Sequence, residues 1–421
     1  MNANTHKSAL LAAIIAFSLL VAGSVQGPAQ AATDYTIPDS ITTHFYEVGV
    51  TKVPVASGSP YLTIVGSDEV LSLNWNTDVS LTNLTEGTSR SLGNLSIPTG
   101  SRVVDFQHFA EWPATSTTIP IFVTYSVLDE ATNCHRLFMH EGTIDRTGSG
   151  NNTLGRTWFA SPCFPKANDY PLVLAHAGGR MALIPKAMRT NPNRPEFFLG
   201  VGDFHVAKPY NIPMTRAARN TLSTIVRITR PNNYEVWARG LRNPQGLVVG
   251  QFDGKREVLG TSHGPRGGDE FYAAQQGLDF GWPRRSYGTG YLPGPTPDSP
   301  DLEGSKRGFA EPLFHWTPSI GASTMLQING PAFRQWWGRV PSRATPDVII
   351  SGMGERKLYR VQMAAGAVRG TEVMDIGARV RSLAQLPNGF IVAGLDAGNE
   401  LLVLRPTTQW STPAGTFVPV G

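Results

Sequence analysis

Short apolar runs recur along this chain at intervals too close for long helices. YLTIVG from Tyr61, VLSLNW from Val70, IPIFVTYSVLD from Ile119, HRLFMHEGTI from His135 and PLVLAHAGGRMALIP from Pro171 come first. EFFLGVGD, TIVRITR, YEVWARG, DVIISGMG, KLYRVQM, VRSLAQL, FIVAGL and LLVLRP follow. Most alternate partially or are enriched in β-branched and aromatic residues, and helical periodicity is scarce. Asp253-Gly254 and Asn388-Gly389, each flanked by apolar runs, mark two hairpins. With 44 Gly, 32 Pro and only 16% charged residues, the pattern predicts an all-β fold of many short strands and tight turns. Grouped four to a unit, these strands would make about five or six units, which suits a β-propeller, where radial repetition removes exposed sheet edges. A sandwich of similar strand count is the other arrangement open to them. Residues 288–312 are rich in Pro and Gly without a period and read as a long irregular loop, a kind that tends to be functional or mobile.

The first residues carry Lys7, then the apolar run ALLAAIIAFSLLVAG, then AQAA. A charged start, an apolar centre and a small-residue cleavage pattern predict an export signal cut after Ala31. The apolar run, about 15 residues, is short of the roughly 20 that a spanning helix needs, and no later run is longer. The expectation is a soluble periplasmic or secreted protein with no membrane span after signal removal. The remaining residues, about 390, are within the range of one closed all-β domain, 32–421. Cys134 and Cys163 are the only cysteines. In an oxidising compartment a bridge between them is plausible, the other reading being two buried thiols that never meet. A net charge of +4 and the lack of a Lys/Arg run interleaved with aromatics exclude nucleic acid as an expected partner.

The densest stretch begins GLRNPQGLVV at Gly240, continues as SHGPRGGDE from Ser262 and ends GLDFGWPRRSYGTGY from Gly277. Read in that order, it closely resembles the signature of the soluble quinoprotein glucose/sorbosone dehydrogenases, or aldose sugar dehydrogenases. HAGGRMALIP (from His176) and LGVGD (from Leu199) precede it, and HWTPSIGASTM (from His315) and ARVRSLAQLPNGF (from Ala378) follow it, each similar to a family element. The resemblance covers roughly residues 170–405. It implies a six-bladed β-propeller binding pyrroloquinoline quinone (PQQ) and Ca²⁺ on the channel axis. It also implies a sugar substrate, and a soluble or membrane electron acceptor. Residues 35–165 keep the strand-rich texture without recognisable family motifs, so the first one or two blades are inferred from the rest.

The resemblance assigns roles that suit the chemistry. Oxidation at an anomeric carbon needs a base for the hydroxyl proton, and histidine has an unperturbed pKa near operating pH. His176 is the candidate base, with Asp203 to orient its second ring nitrogen. Arg242 is placed near the quinone carbonyl that receives hydride, where a fixed cation stabilises developing negative charge. Asn243 and Gln245 are its polar neighbours toward the cofactor, and Asn before Pro also favours the turn itself. Arg379 and Arg381, one residue apart on a strand, share a face about 7 Å apart and form a clamp for cofactor carboxylates. The Gly264 and Pro265 carbonyls are the Ca²⁺ ligands, with Asp269 and His263 toward substrate and Glu270 toward a second calcium. Trp282 and Tyr287 either stack on the sugar or pack the rim.

The chain departs from the family at three places. Gly354 stands where the glucose dehydrogenases have a quinone-pairing Lys, with Arg356 and Lys357 nearby. Leu241 replaces a His before the Arg, and His263 replaces a Gln before Gly-Pro, which draws the chain toward the broad-specificity aldose branch. The competing readings are a catalytically inactive propeller that serves as a carbohydrate-binding or extracellular interaction module, and a propeller lactonase using calcium alone. The latter would need side-chain carboxylates or amides around the metal, where this sequence offers carbonyls.

Overall fold

The computed structural model describes residues 36–129, 131–165, 176–205, 220–289, 306, 308–336, 345–409 and 417–419. The export-signal expectation therefore lies outside the described residues, as does much of the loop expected at 288–312. The described strands form six antiparallel sheets, the blades of a six-bladed β-propeller.

Blade 1 comprises Tyr61–Ile64, Glu69–Leu73, Asp78–Asn83 and Thr88–Asn94. Blade 2 runs through Ser101–Gln107, Thr118–Asp129, Cys134–Asp145 and Thr153–Ala160, and blade 3 through Gly178–Leu183, Phe197–Val201, Thr224–Arg230 and Asn233–Arg239. Blade 4 holds Pro244–Phe252, Lys255–Ser262, Asp269–Ala274 and Phe314–Trp316, and blade 5 Ala322–Gln327, Val348–Gly352, Lys357–Ala364 and Ala367–Asp375. Blade 6 is composite: Val380–Gln385, Ile391–Leu395 and Glu400–Gln409 are joined by the N-terminal strand Tyr46–Pro54, which pairs antiparallel with Glu400–Gln409. This pairing closes the ring by uniting the two ends of the described chain.

Both faces of each blade are covered by its neighbours, so the second strands of blades 3, 5 and 6 are buried along their whole length. FFLGV, VIISG and IVAGL have no exposed residue, which is why their apolar residues run together instead of alternating. A separate core fills each gap between neighbouring blades. Leu73 and Val79 meet Phe106 and Ile121, for example, and Leu62 and Val70 meet Val392 and Leu401. Both expected hairpins are present. Asp253 (φ 47°) and Gly254 (φ 75°) are left-handed between Pro244–Phe252 and Lys255–Ser262, the conformation of a two-residue primed turn.

The ring closure is secured by a buried ionic network. Arg360, fully buried, donates to Asp347 (2.8 Å) and Glu372 (2.7 Å) and packs 4.7 Å from the Trp336 ring centroid. Glu372 in turn accepts the backbone N–H of His44 (2.5 Å), and Trp336 Nε1 donates to the His44 carbonyl (3.1 Å). Blade 5 thus grips the segment leading into the N-terminal strand.

Cys134 and Cys163 form a disulfide with their Cα atoms 5.2 Å apart. The bridge binds the edge of blade 2, where His135 and Phe164 pack on Phe204 with ring centroids 5.8 and 5.3 Å away. By the chain-entropy relation a loop of this length contributes about 3 to 4 kcal/mol. Cys134→Ser/Cys163→Ser is expected to lower the denaturation midpoint accordingly, and reduction of the native protein should reproduce that loss. An unchanged urea midpoint would show that the bridge adds nothing to stability.

Candidate active site

Because the strands of a blade are antiparallel, the start of each innermost strand and the connection between its second and third strands lie at the same end. Tyr61 pairs with Leu73, Gly178 with Val201, Pro244 with Ser262 and Val380 with Leu395. One face of the propeller thereby collects His176, Asp203, Arg242, His263, Arg379 and Asp396 from segments distant in sequence. Hydrogen bonds stitch these segments together, Asp203 N donating to the Arg242 carbonyl (2.9 Å) and His263 N to the Asn243 carbonyl (3.1 Å).

His176 Nδ1 lies 2.9 Å from Asp203 Oδ1. The same oxygen accepts the His205 backbone N–H (3.0 Å), and Asp203 Oδ2 accepts Trp282 Nε1 (3.1 Å). Three donors therefore fix a carboxylate that is 3% exposed, while the His176 side chain keeps 13% of its surface open. The His205 ring stacks on His176 at 3.5 Å between centroids. Burial first, then the charges of Arg242, His263 and Arg102, hold the His176 pKa well below the ordinary histidine value. His176 adopts φ 56°, an uncommon conformation for a residue with a side chain and one that clusters at functional sites. Its carbonyl passes so close to Gly202 that a Cβ there would stand 1.9 Å from it. The glycine of LGVGD is therefore required by the course of the histidine segment.

Arg242 Nη1 donates to the Gly264 carbonyl (2.6 Å), with its guanidinium 5.4 Å from the Trp282 ring centroid. Asn243 Oδ1 accepts Gly178 N (3.2 Å) and Gln245 Nε2 (3.1 Å), tying the turn to the His176 strand. His263 is partly buried beside Asn243, whose Nδ2 is 3.4 Å from its Nδ1. Asp269 is 1% exposed, and its oxygens accept Gly264 N (3.0 Å), Ser319 Oγ (2.5 Å) and Ala322 N (2.9 Å). It is committed to shaping the Gly264–Pro265 turn. Glu270 is paired with the buried ammonium of Lys306, so a lysine stands where a second calcium was expected. Trp282 serves Asp203 and Arg242, and Tyr287 stacks on His315 at 3.9 Å between centroids and donates to Glu311.

Arg379 and Arg381 converge on one carboxylate. Arg379 Nε reaches Asp396 Oδ2 (2.9 Å), and Arg381 reaches Oδ1 through Nε (3.0 Å) and Nη2 (2.7 Å). Burial opposes ionisation of Asp396, but Arg381 and Arg379 outweigh it and lower its pKa. Gly354 is exposed, and Lys357 is engaged with Glu355 (3.1 Å). Arg379 Nη1 instead reaches the carbonyl of neighbouring Met353 (3.3 Å). Arg180 crosses the axis, donating to Asp105 (2.9 Å) and the Gln245 carbonyl (3.1 Å) and to the Arg381 carbonyl.

Sequence reasoning missed His205, Asp396 and Trp75, whose ring centroid lies 5.2 Å from the Arg381 guanidinium and 5.7 Å from that of Arg102, which was also missed. Asp396 had a signal: folding the hairpin about Asn388-Gly389 sets it opposite the arginine pair. Trp75 and Arg102 had none, because they come from blades that carry no recognisable motif.

Residues 218–404 match the family described as Glucose / Sorbosone dehydrogenase. Over that stretch, somewhat under half of its length, the chain is similar to this family. It is 30% identical to aldose sugar dehydrogenase YliI of Escherichia coli (strain K12) over 176 residues, 41% of this chain and 44% of that protein. It is likewise 30% identical to the uncharacterized protein slr1608 of Synechocystis over 174 residues, 40% of this chain and 38% of that protein. The chain thus spans less than half the length of the curated relatives it matches. The likeness in fold extends further than this similarity in sequence. The soluble aldose sugar dehydrogenase of Escherichia coli in its apo form superposes over 85% of this chain and 99% of its own, with a TM-score of 0.63 at 20% identity. The PQQ-bound aldose sugar dehydrogenase of Streptomyces coelicolor covers 88% of this chain and 99% of its own, with a TM-score of 0.59 at 17% identity. At these identities the two structures speak for the fold.

Proposed function

We propose that this protein is an exported quinoprotein dehydrogenase that oxidises aldoses at the anomeric carbon. The observation that carries the reading is the pair of His176, kept neutral, and a fully fixed Asp203, standing among Arg242, Arg379 and Arg381. His176 takes the hydroxyl proton at Nε2, the ring nitrogen that Asp203 does not hold. Asp203 keeps the proton on Nδ1 and stabilises the imidazolium that follows. Arg242 offers a fixed positive charge, which costs no reorganisation during the reaction.

PQQ, when bound, supplies the two-electron acceptor. The donors present fit a group with several carboxylates: Arg379 and Arg381 face the axis side by side, already ordered by Asp396. Asn243 and Gln245 contribute mainly by holding the turn that presents Arg242. Arg242 already donates to the Gly264 carbonyl, so a Ca²⁺ held by the Gly264 and Pro265 carbonyls would compete with that guanidinium for the oxygen, and calcium is expected to change quinone affinity as well as stability. Export is supported by the signal pattern and by the disulfide, which persists in oxidising compartments. The electrons leave to a soluble or membrane acceptor.

The test is titration of the purified protein with PQQ, with calcium and after chelation, followed by aldoses and a dye acceptor. Saturable binding with sugar-dependent dye reduction is expected. Quinone binding without turnover would favour the inactive carbohydrate-binding propeller. Quinone-free hydrolysis of lactones would favour the lactonase.

The pH profile follows from His176. Proton abstraction needs the neutral ring, and a lowered pKa keeps the ring neutral into more acidic solution. The acid limb of kcat/KM is therefore expected below pH 6.5, with activity falling as pH drops through that lowered value. A limb above 6.5 would contradict the buried, cation-flanked histidine as the base.

A further inference from the structure

Arg102 is the second residue of the innermost strand of blade 2, at the face that holds His176 and Arg381. Its guanidinium lies 5.7 Å from the Trp75 ring centroid, and that of Arg381 lies 5.2 Å from the same ring. Trp75 is fixed by its Nε1 donating to the Asp396 carbonyl (3.0 Å). The neighbouring guanidiniums all have acceptors: Asp396 for Arg379 and Arg381, Asp105 for Arg180 and the Gly264 carbonyl for Arg242. Arg102 donates to no acceptor among the described residues. Tyr61, beside it, spends its hydroxyl proton on the Val103 carbonyl (2.8 Å), and burial raises its pKa, so it remains neutral.

Arg102 is partly buried, so its guanidinium has given up part of its hydration without gaining an acceptor among the described residues, and an anion that meets it there makes up that loss with a charge-assisted pair. Its planar fork matches a carboxylate, to which it makes two parallel hydrogen bonds. We propose that Arg102, braced on Trp75, binds a carboxylate of the reactants between the Arg381 clamp and His176. The inference rests on the functional reading above and supplies, from blade 2, the cation that Gly354 does not supply from blade 5. The carboxylate belongs either to the quinone or to an acidic sugar, and the two sources are separable.

Quinone affinity is measured by equilibrium titration for the wild type, Arg102→Gln, Arg102→Lys and, as a control, the exposed hairpin variant Arg256→Gln. KM is measured for glucose and glucuronate on the quinone-loaded proteins, and thermal stabilisation by each sugar on the quinone-free proteins. A rise of tenfold or more in the quinone Kd of Arg102→Gln, partly restored in Arg102→Lys, assigns the cofactor carboxylate. An unchanged quinone Kd with a tenfold rise in KM for glucuronate but not glucose assigns the substrate carboxylate. Arg256→Gln is expected to match the wild type throughout. Changes below twofold in both arms for a folded Arg102→Gln overturn the proposal. If the wild type binds no quinone, the functional reading fails and Arg102 is judged by stabilisation alone. A preference for glucuronate that is lost in Arg102→Gln then upholds it, and no such preference overturns it.

Discussion

His176→Ala is expected to lower kcat/KM for aldose oxidation by about 10² to 10⁴-fold, the usual contribution of a positioned general base. The fold should survive, because the His176 side chain is at the edge of the pocket and what is lost is its Nδ1 bond to Asp203 and its stacking on the His205 ring. Quinone affinity should stay within a few-fold of wild type, since the arginine clamp is on other blades. Single-turnover reduction in the presence of quinone and sugar, measured beside the binding titration, separates the two effects. Asp203→Asn gives the complementary result. It keeps the size of the group but removes the charge that holds Nδ1–H, so the rate falls with little change in binding. Full turnover in His176→Ala would remove the base from this site.

Arg360→Met is expected to cost about 3 to 5 kcal/mol, the usual penalty for leaving buried charges without their partner. Asp347 and Glu372 are 3% and 1% exposed, and no water can replace the guanidinium between them. The deficit should also depend on pH. Burial already pushes Asp347 up to about 6, above its ordinary value, against the pull of Arg360. A carboxyl raised in the folded state favours that state most when protonated, and this advantage fades as pH rises through about 6. Without Arg360 the buried charge is worse still, so the loss measured by urea denaturation should be larger at pH 8 than at pH 5. A uniform deficit across that range would mean that lost packing on Trp336, rather than charge, sets the cost. Because the network holds the N-terminal segment to blade 5, hydrogen exchange should accelerate first in Tyr46–Pro54 and its partner Glu400–Gln409.

The blades were legible where local signals agree. Asp253-Gly254 names a primed turn because both positions tolerate positive φ, and FIVAGL and DVIISGMG announce strands covered on both faces. The order RNPQG, HGPRGGDE, GWP exposed the site because its glycines are demanded by close approach, as at Gly264, where a Cβ would stand 2.2 Å from the Gly267 carbonyl, and because its polar residues lie close together in sequence. Asn243 and Asp269 show the limit of that reading. Their types suit a pocket, yet their hydrogen bonds are spent on the turn and on the Gly264–Pro265 loop. Only neighbours brought in from other blades, Gly178 for the one and Ser319 and Ala322 for the other, settle where those bonds go.

What the sequence by itself determined is the class of fold and the sites of its tight turns, because strand alternation, turn chemistry and glycine requirements act over a few residues. It also marked the stretch of resemblance, roughly residues 170–405, and, within it, His176, Asp203 and the arginine pair as the groups to watch. Ring closure by Tyr46–Pro54 on Glu400–Gln409 was decided in three dimensions, because pairing across some 350 residues leaves no local trace. So was the state of each charge. Whether an arginine clamps a ligand or satisfies a neighbour depends on which carboxylate lies opposite, and burial sets how strongly that matters. Asp396 answers for Arg379 and Arg381, Lys306 answers for Glu270, and Arg102 is left facing the site without an acceptor among the described residues.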